Sequence, residues 1–232
     1  MNALPLGFVH LVVDGDVDQV SRRLARDPTL ATIASPVGAT RGGPRTFFFT
    51  EIQHYLYAGD TALHLAAAAW RRDVAALLIA RGASAQSRNR RGAEPLHYAA
   101  DANRWDPAAQ AEMISYLVSV GADPNARDGS GVAPLHRAVR TRSLAAVRAL
   151  LEGGANPRLS NKAGSTPLHL AVQTTGRGGS GSPEAREQQA GIVKLLMERG
   201  ATVADQNTQG KTVRQAATSA WSRALLQNVS TG

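Results

Sequence analysis

Four histidines, His64, His97, His136 and His169, each follow a leucine and lie 33, 39 and 33 residues apart. Imidazoles at regular spacing could ligate a metal. Zinc, however, needs its ligands about 2 Å from one ion, whereas helical units repeating at this period stack roughly 10 Å apart. The four rings therefore read as structural, and no metal or cofactor is expected. His10 and His54 stand outside the pattern and carry no reading of their own. The run Gly176 to Gly181 has the glycine content of a phosphate-cradling loop. Such a loop needs free backbone N–H groups opening a helix. Here Pro183 removes a donor, Glu184 adds negative charge and no strand precedes. A surface loop fits better, with Arg177 leaving an anion contact as the open alternative. No H-E-x-x-H, G-x-S-x-G or Walker pattern occurs, so no catalytic residue and no enzymatic activity is expected.

A second spacing runs beside the first. Gly-Ala dipeptides begin at Gly82, Gly121, Gly154 and Gly200, each 15 residues before a histidine-equivalent position; the last is Gln215, in a degenerate fifth copy. Self-similarity at this period marks stacked units, none of which can bury its apolar face alone. Each unit holds an Ala-rich helix and a second apolar helix, such as Val74-Ala75-Ala76-Leu77-Leu78-Ile79. Thr61 and Thr166 suit helix N-caps, while Glu94 and Ala133 depart from that pattern; Ala133 is expected to cost its helix up to about 1 kcal/mol. Two insertions interrupt the helix–helix loops. Asp106-Pro107 and Ser182-Pro183 read as the cap and first position of the helices that follow them.

Thr61-Ala62-Leu63-His64 and Thr166-Pro167-Leu168-His169 resemble the T-P-L-H signature of ankyrin repeats. The resemblance is clear over about residues 60 to 215. It implies an all-α ankyrin-repeat solenoid of stacked helix-turn-helix units with protruding β-turn fingers and a concave binding face. The 232 residues then divide into an N-terminal capping repeat with a long finger (1–59), full repeats 60–92, 93–131, 132–164 and 165–210, and a C-terminal cap (211–232). The cap carries Val9, Val12, Val13, Val20 and Leu24 as its apolar stripe, with Asp16, Asp18, Arg22, Arg23 and Arg26 on a solvated side. The finger run Thr46 to Tyr57 holds three of the four Phe and is too aromatic to stand free in water, so it either folds back over the stack, the favoured expectation, or serves as a contact surface. The family's glycine six places after the histidine is replaced by Trp70 and Arg142, so the local turn is expected to differ there.

By the family's pattern, concave-face positions are Leu65, Ala68 and Ala69; Tyr98, Asp101 and Ala102; Arg137, Arg140 and Thr141; Leu170, Gln173 and Thr174. Tyr98 with Arg137 and Arg140 has the aromatic–guanidinium composition of interface hot spots, and Asp101 is near enough in the pattern to pair with either arginine. The fingers add Arg88, Arg90, Arg91, Arg127, Arg158 and Lys162. Trp70, Trp105 and Arg177 would mark an insertion edge. The implied function is a non-enzymatic protein–protein interaction scaffold, its partner offering an acidic or loop-like segment.

The formal charge of +8 and pI near 10.7 also suit nucleic acid or another polyanion on the finger ridge. Only three of the 26 basic residues are lysines, however, and arginine richness can be scattered and solvated. A small-molecule or enzymatic site at the insertions is a third class. No cysteine is present, which excludes a disulfide framework and thiolate chemistry. Met1 to Val13 lacks a basic leader and no run of about 18 apolar residues occurs. A cytoplasmic protein without a membrane segment is expected.

Overall fold

His64, His136 and His169 each tie their own helix to the turn of the next repeat. The computed structural model describes residues 4–40, 45–101, 106–173 and 182–229. They hold twelve α-helices and one two-stranded sheet, an essentially all-α architecture. By contacts the chain forms two compact units, residues 1–123 and 124–232.

In the first unit, α1 (Leu6–Asp14) stops at Gly15, whose φ of 80° a side chain would resist, and α2 (Val17–Arg26) restarts with the Asp16 carboxylate accepting the Gln19 N–H. Val9, Val12, Val13, Val20 and Leu24 are buried, and the charged residues named above face solvent. The short helix α3 (Ala62–Ala68) is buried throughout, packed between α1 and α5 (Pro95–Ala99). Its alanines make this closeness possible, since larger side chains would not fit between adjacent helices. α4 (Arg72–Ala80) and α6 (Pro107–Ser119) form the second layer. Asp106 caps α6 by accepting the Ala109 N–H, and Pro107 takes its first position.

The long finger does fold back. Strands β1 (Phe48–Phe49) and β2 (His54–Tyr55) pair antiparallel, and Phe49, Ile52 and Leu56 are fully or nearly fully buried. Burial of each such side chain contributes about 1.5–3 kcal/mol, enough to hold an otherwise marginal hairpin. The Phe49 ring lies 4.9 Å from His10 on α1.

The second unit contains α7 (Pro134–Arg140), α8 (Leu144–Glu152), α9 (Pro167–Ala171), α10 (Pro183–Glu198), α11 (Val213–Ala216) and α12 (Ala220–Val229). The Ser182 hydroxyl caps α10, whose longer run ends at Arg199. α12 packs on α10.

Two expectations need correction. The repeat helices are not capped by the threonine hydroxyl. The Thr61 N–H is instead accepted by His64 Nδ1 at 3.1 Å, and Glu94 and Ala133 use His97 and His136 in the same way, at 3.1 and 3.2 Å. Ala133 thus loses only the hydroxyl–imidazole contact that Thr61 makes at 3.0 Å, not the cap itself. Nor do Trp70 and Arg142 change the turn. They keep the left-handed backbone, at φ 53° and 60°, so the side chain accommodates rather than the chain path.

Candidate recognition surfaces

Three of the repeated histidines, His64, His136 and His169, have both ring nitrogens engaged and no capacity left for a ligand. His64 Nδ1 accepts a backbone N–H, so Nε2 carries the proton and donates to the Ala93 carbonyl at 3.1 Å. His136 donates likewise to Ser165 at 3.1 Å and His169 to Lys211 at 3.2 Å. Burial holds the His64 and His136 pKa values below the usual 6.5, which favours this neutral form. Among the described residues no group of three His, Asp or Glu is arranged to hold a metal.

Tyr98 does not line an open groove. It is 1% exposed. Its hydroxyl donates to the Asp60 carboxylate, 2.8 and 2.9 Å from the two oxygens, while Asn89 Nδ2 donates to Asp60 at 2.8 Å. The Tyr57 N–H is a further donor to Asp60, at 2.6 Å. His54 of the folded-back finger lies over the ring at 4.4 Å, and His64 meets it edge-on at 5.2 Å. Leu65, Ala68 and Ala69 are equally buried, so the expected contact row of this unit is interior. Asp101 is half-buried. Sequence reasoning missed Asp60, which organises this network; its only sequence signal is an aspartate immediately before Thr61.

The finger arginines divide. Arg88 Nε donates to Glu94 Oε1 at 3.0 Å; burial raises the Glu94 pKa, and its Oε2 has no partner among the described residues. Arg91 lies 4.4 Å over the Tyr57 ring. Arg158 pairs with Asp205 at 2.7 Å. Arg90, Arg127 and Lys162 are exposed. Much of the expected ridge is therefore neutralised or stacked.

In the second unit Arg137 donates to Asp128 at 3.0 Å, both side chains largely buried. Burial alone would raise the Asp128 pKa, but N–H donors from Ser130 and Val132 and the Arg137 guanidinium hold it below the ordinary value. Arg137 is thus a structural clamp on its finger. Arg140, at the end of α7, and Gln173, just after α9, are exposed, Thr141 and Leu170 are half-buried, and α7 packs on α9.

At the insertion edge, Trp70 is 5% exposed and its indole N–H donates to the Ala99 carbonyl at 3.1 Å, so it is a core residue rather than an edge contact. Trp105, Arg177 and the Gly176 to Gly181 run lie outside the described residues.

Buried Ala-rich first helices, imidazoles bridging successive turns and left-handed finger glycines recur in both units. A family model for ankyrin repeats (3 copies) matches residues 49–128 and 107–207, well over half of the chain. The chain belongs to the ankyrin repeat family. No curated protein matches it closely enough to count as a relative. Ankyrin repeats are generally protein–protein interaction modules. Among the described residues of this ankyrin protein, no helix is long and apolar enough to cross a membrane.

Proposed function

We propose that this ankyrin protein is a non-enzymatic scaffold that holds an acidic polypeptide segment on the concave row of residues 124–232. The observation that carries this is the contrast between the units. The equivalent positions Leu65, Ala68, Ala69 and Tyr98 are buried, whereas Arg140 and Gln173 are exposed with apolar Leu170 beside them. A guanidinium and a carboxamide flanking a half-buried aliphatic side chain suit an extended carboxylate-bearing segment. Polyanion binding by the fingers is less favoured, because Glu94 and Asp205 already take Arg88 and Arg158.

The test compares wild type with Arg140→Glu/Gln173→Ala in affinity capture at moderate and high salt, after thermal melts establish that both are folded. A single protein retained by wild type and lost by the variant is the expected result. Equal retention by both proteins would remove the concave row from the function. Duplex DNA held at low salt and released steeply as salt rises would favour the finger ridge instead.

A further inference from the structure

Each finger junction inside the two units uses the same pair of hydrogen bonds, one backbone–backbone and one from a histidine ring to a backbone carbonyl. The carbonyl just before a finger glycine accepts an N–H from the next finger: Arg90 to Ala58 at 2.9 Å, Lys162 to Ser130 at 3.2 Å and Thr208 to Ala163 at 3.1 Å. Three residues after that N–H, the incoming finger's carbonyl receives the histidine Nε2–H, at Ala93, Ser165 and Lys211. The glycine makes room. A Cβ on Gly59 would stand 2.7 Å from the Arg90 nitrogen and one on Gly131 2.9 Å from the Lys162 nitrogen, and Gly164 abuts Thr208 in the same way.

The first finger of residues 1–123 and the last finger of residues 124–232 differ in what flanks them. At the first finger, residues 34–39 already lie along the outer edge. Ala34 bridges Thr61 antiparallel, the Ser35 N–H donates to Asp60 at 2.7 Å and Gly59 N–H to Ser35 at 2.7 Å, and Ala39 donates to Leu56 at 2.8 Å. At the finger of residues 205–212 no described residue covers the edge. Gly210 keeps the left-handed φ, 71°, yet nothing lies within 4 Å of where its Cβ would be. The Gln209 carbonyl stands where Ala58, Ser130 and Ala163 accept, and no described donor reaches it. Gln215 replaces the histidine. Its Oε1 accepts the Thr212 N–H at 2.9 Å, as Nδ1 does elsewhere, so its carboxamide –NH2 takes the role of Nε2–H and is exposed. A recess of about 360 Å³ lies here, lined by Gln209, Lys211 and Gln215 with Gln173 alongside.

We infer that the finger edge at Gln209, Gly210 and Gln215 is a docking site for a backbone turn of another protein. The ladder itself specifies the occupant: an N–H for Gln209 O and, three residues on, a carbonyl for the Gln215 carboxamide, pressed against a glycine without a side chain. Turns of the form Asn/Asp-x-x-Gly fit, because the side-chain oxygens of Asn89, Asp128, Asn161 and Asn207 each fix such a turn by accepting N–H groups two and four residues on. A second copy of this chain does not offer its first finger, since residues 34–39 occupy that edge. The site rests on the protein-binding character of the family but does not use Arg140; Gln173 adjoins both surfaces, so Arg140→Glu is the variant that tells them apart.

The probe is a cyclised peptide carrying this chain's own turn, Leu159 to Thr166, titrated into the isotope-labelled full chain. Amide shifts confined to residues 206–218 are expected. Gly210→Ala, which fills the slot, and Gln215→Glu, which keeps the Thr212 contact and deletes the donor, should each weaken binding about tenfold, the effect of losing one such backbone contact. Arg140→Glu should leave it unchanged. Should Gly210→Ala fold poorly in a thermal melt, Gln215→Glu alone decides. Absent shifts, shifts elsewhere, or binding indifferent to Gln215→Glu would overturn the site. Concentration-dependent self-association abolished by Gly210→Ala would also overturn it, by giving the edge to a second copy.

Discussion

Trp70 and Arg142 hold the same left-handed backbone with opposite compensation. A non-glycine residue in this region costs roughly 1–2 kcal/mol. Trp70 offsets that through its buried indole and the bond to Ala99. Arg142 is half-exposed, burial lowers its pKa, and its guanidinium has no hydrogen-bond partner among the described residues. Arg142→Gly should therefore stabilise the protein by about 1 kcal/mol. Trp70→Gly should destabilise it by about 2–4 kcal/mol, since loss of the indole outweighs relief of the backbone. Urea unfolding of both variants measures the difference, and a destabilised Arg142→Gly would contradict it. The sequence marked both residues as misfits but not which part would yield. Spacing shows that a left-handed residue is wanted there. It does not show whether neighbouring groups can hold a large side chain in place.

The folded-back hairpin is an element whose existence was legible and whose anchor was not. Thr46 to Tyr57 reads in the sequence as a segment that folds back or meets a partner, and it folds back. Tyr98 followed the plain-repeat pattern in which the residue after the histidine faces the groove. Nothing local to Tyr98 reveals that Asp60, 38 residues earlier, presents a carboxylate to its hydroxyl. Removing that hydroxyl leaves a fully buried carboxylate with one donor fewer, at a cost of about 1–3 kcal/mol. Tyr98→Phe should thus speed amide hydrogen exchange at Leu56 and Asp60, whose N–H groups bond within this finger, while α10 keeps its wild-type protection. Unchanged exchange at both amides would mean the hairpin is held by its apolar packing alone.

Across the whole molecule, one chemical device serves every repeat, and it makes stability depend on pH. His64 and His136 sit neutral in the fold with pKa values below 6.5, while in the unfolded chain they bind protons near 6.5. The unfolded state therefore gains protons first as pH falls, so their contribution is complete above about pH 6.5 and declines below it. Each protonates at a limiting slope of about 1.4 kcal/mol per pH unit. Glu94 works in the opposite sense, because burial raises its pKa and acid relieves that penalty, so it offsets part of the loss near its own titration. Asp128 acts later, its depressed pKa withdrawing stability only below the ordinary carboxylate range. Melting temperature should be flat from pH 8 to about 6.5 and fall from there towards pH 5. Gln215 shows that a glutamine can accept the turn's N–H without a titrating ring. His64→Gln/His136→Gln should accordingly be less stable at pH 8 yet markedly flatter through the acid limb. A double variant that keeps the wild-type slope would place the acid sensitivity elsewhere. The period of the histidines was plain in the sequence, and so was their structural role. Their titration was not, because it depends on burial and on carbonyls supplied by the following turn, which only the stacked repeats bring together.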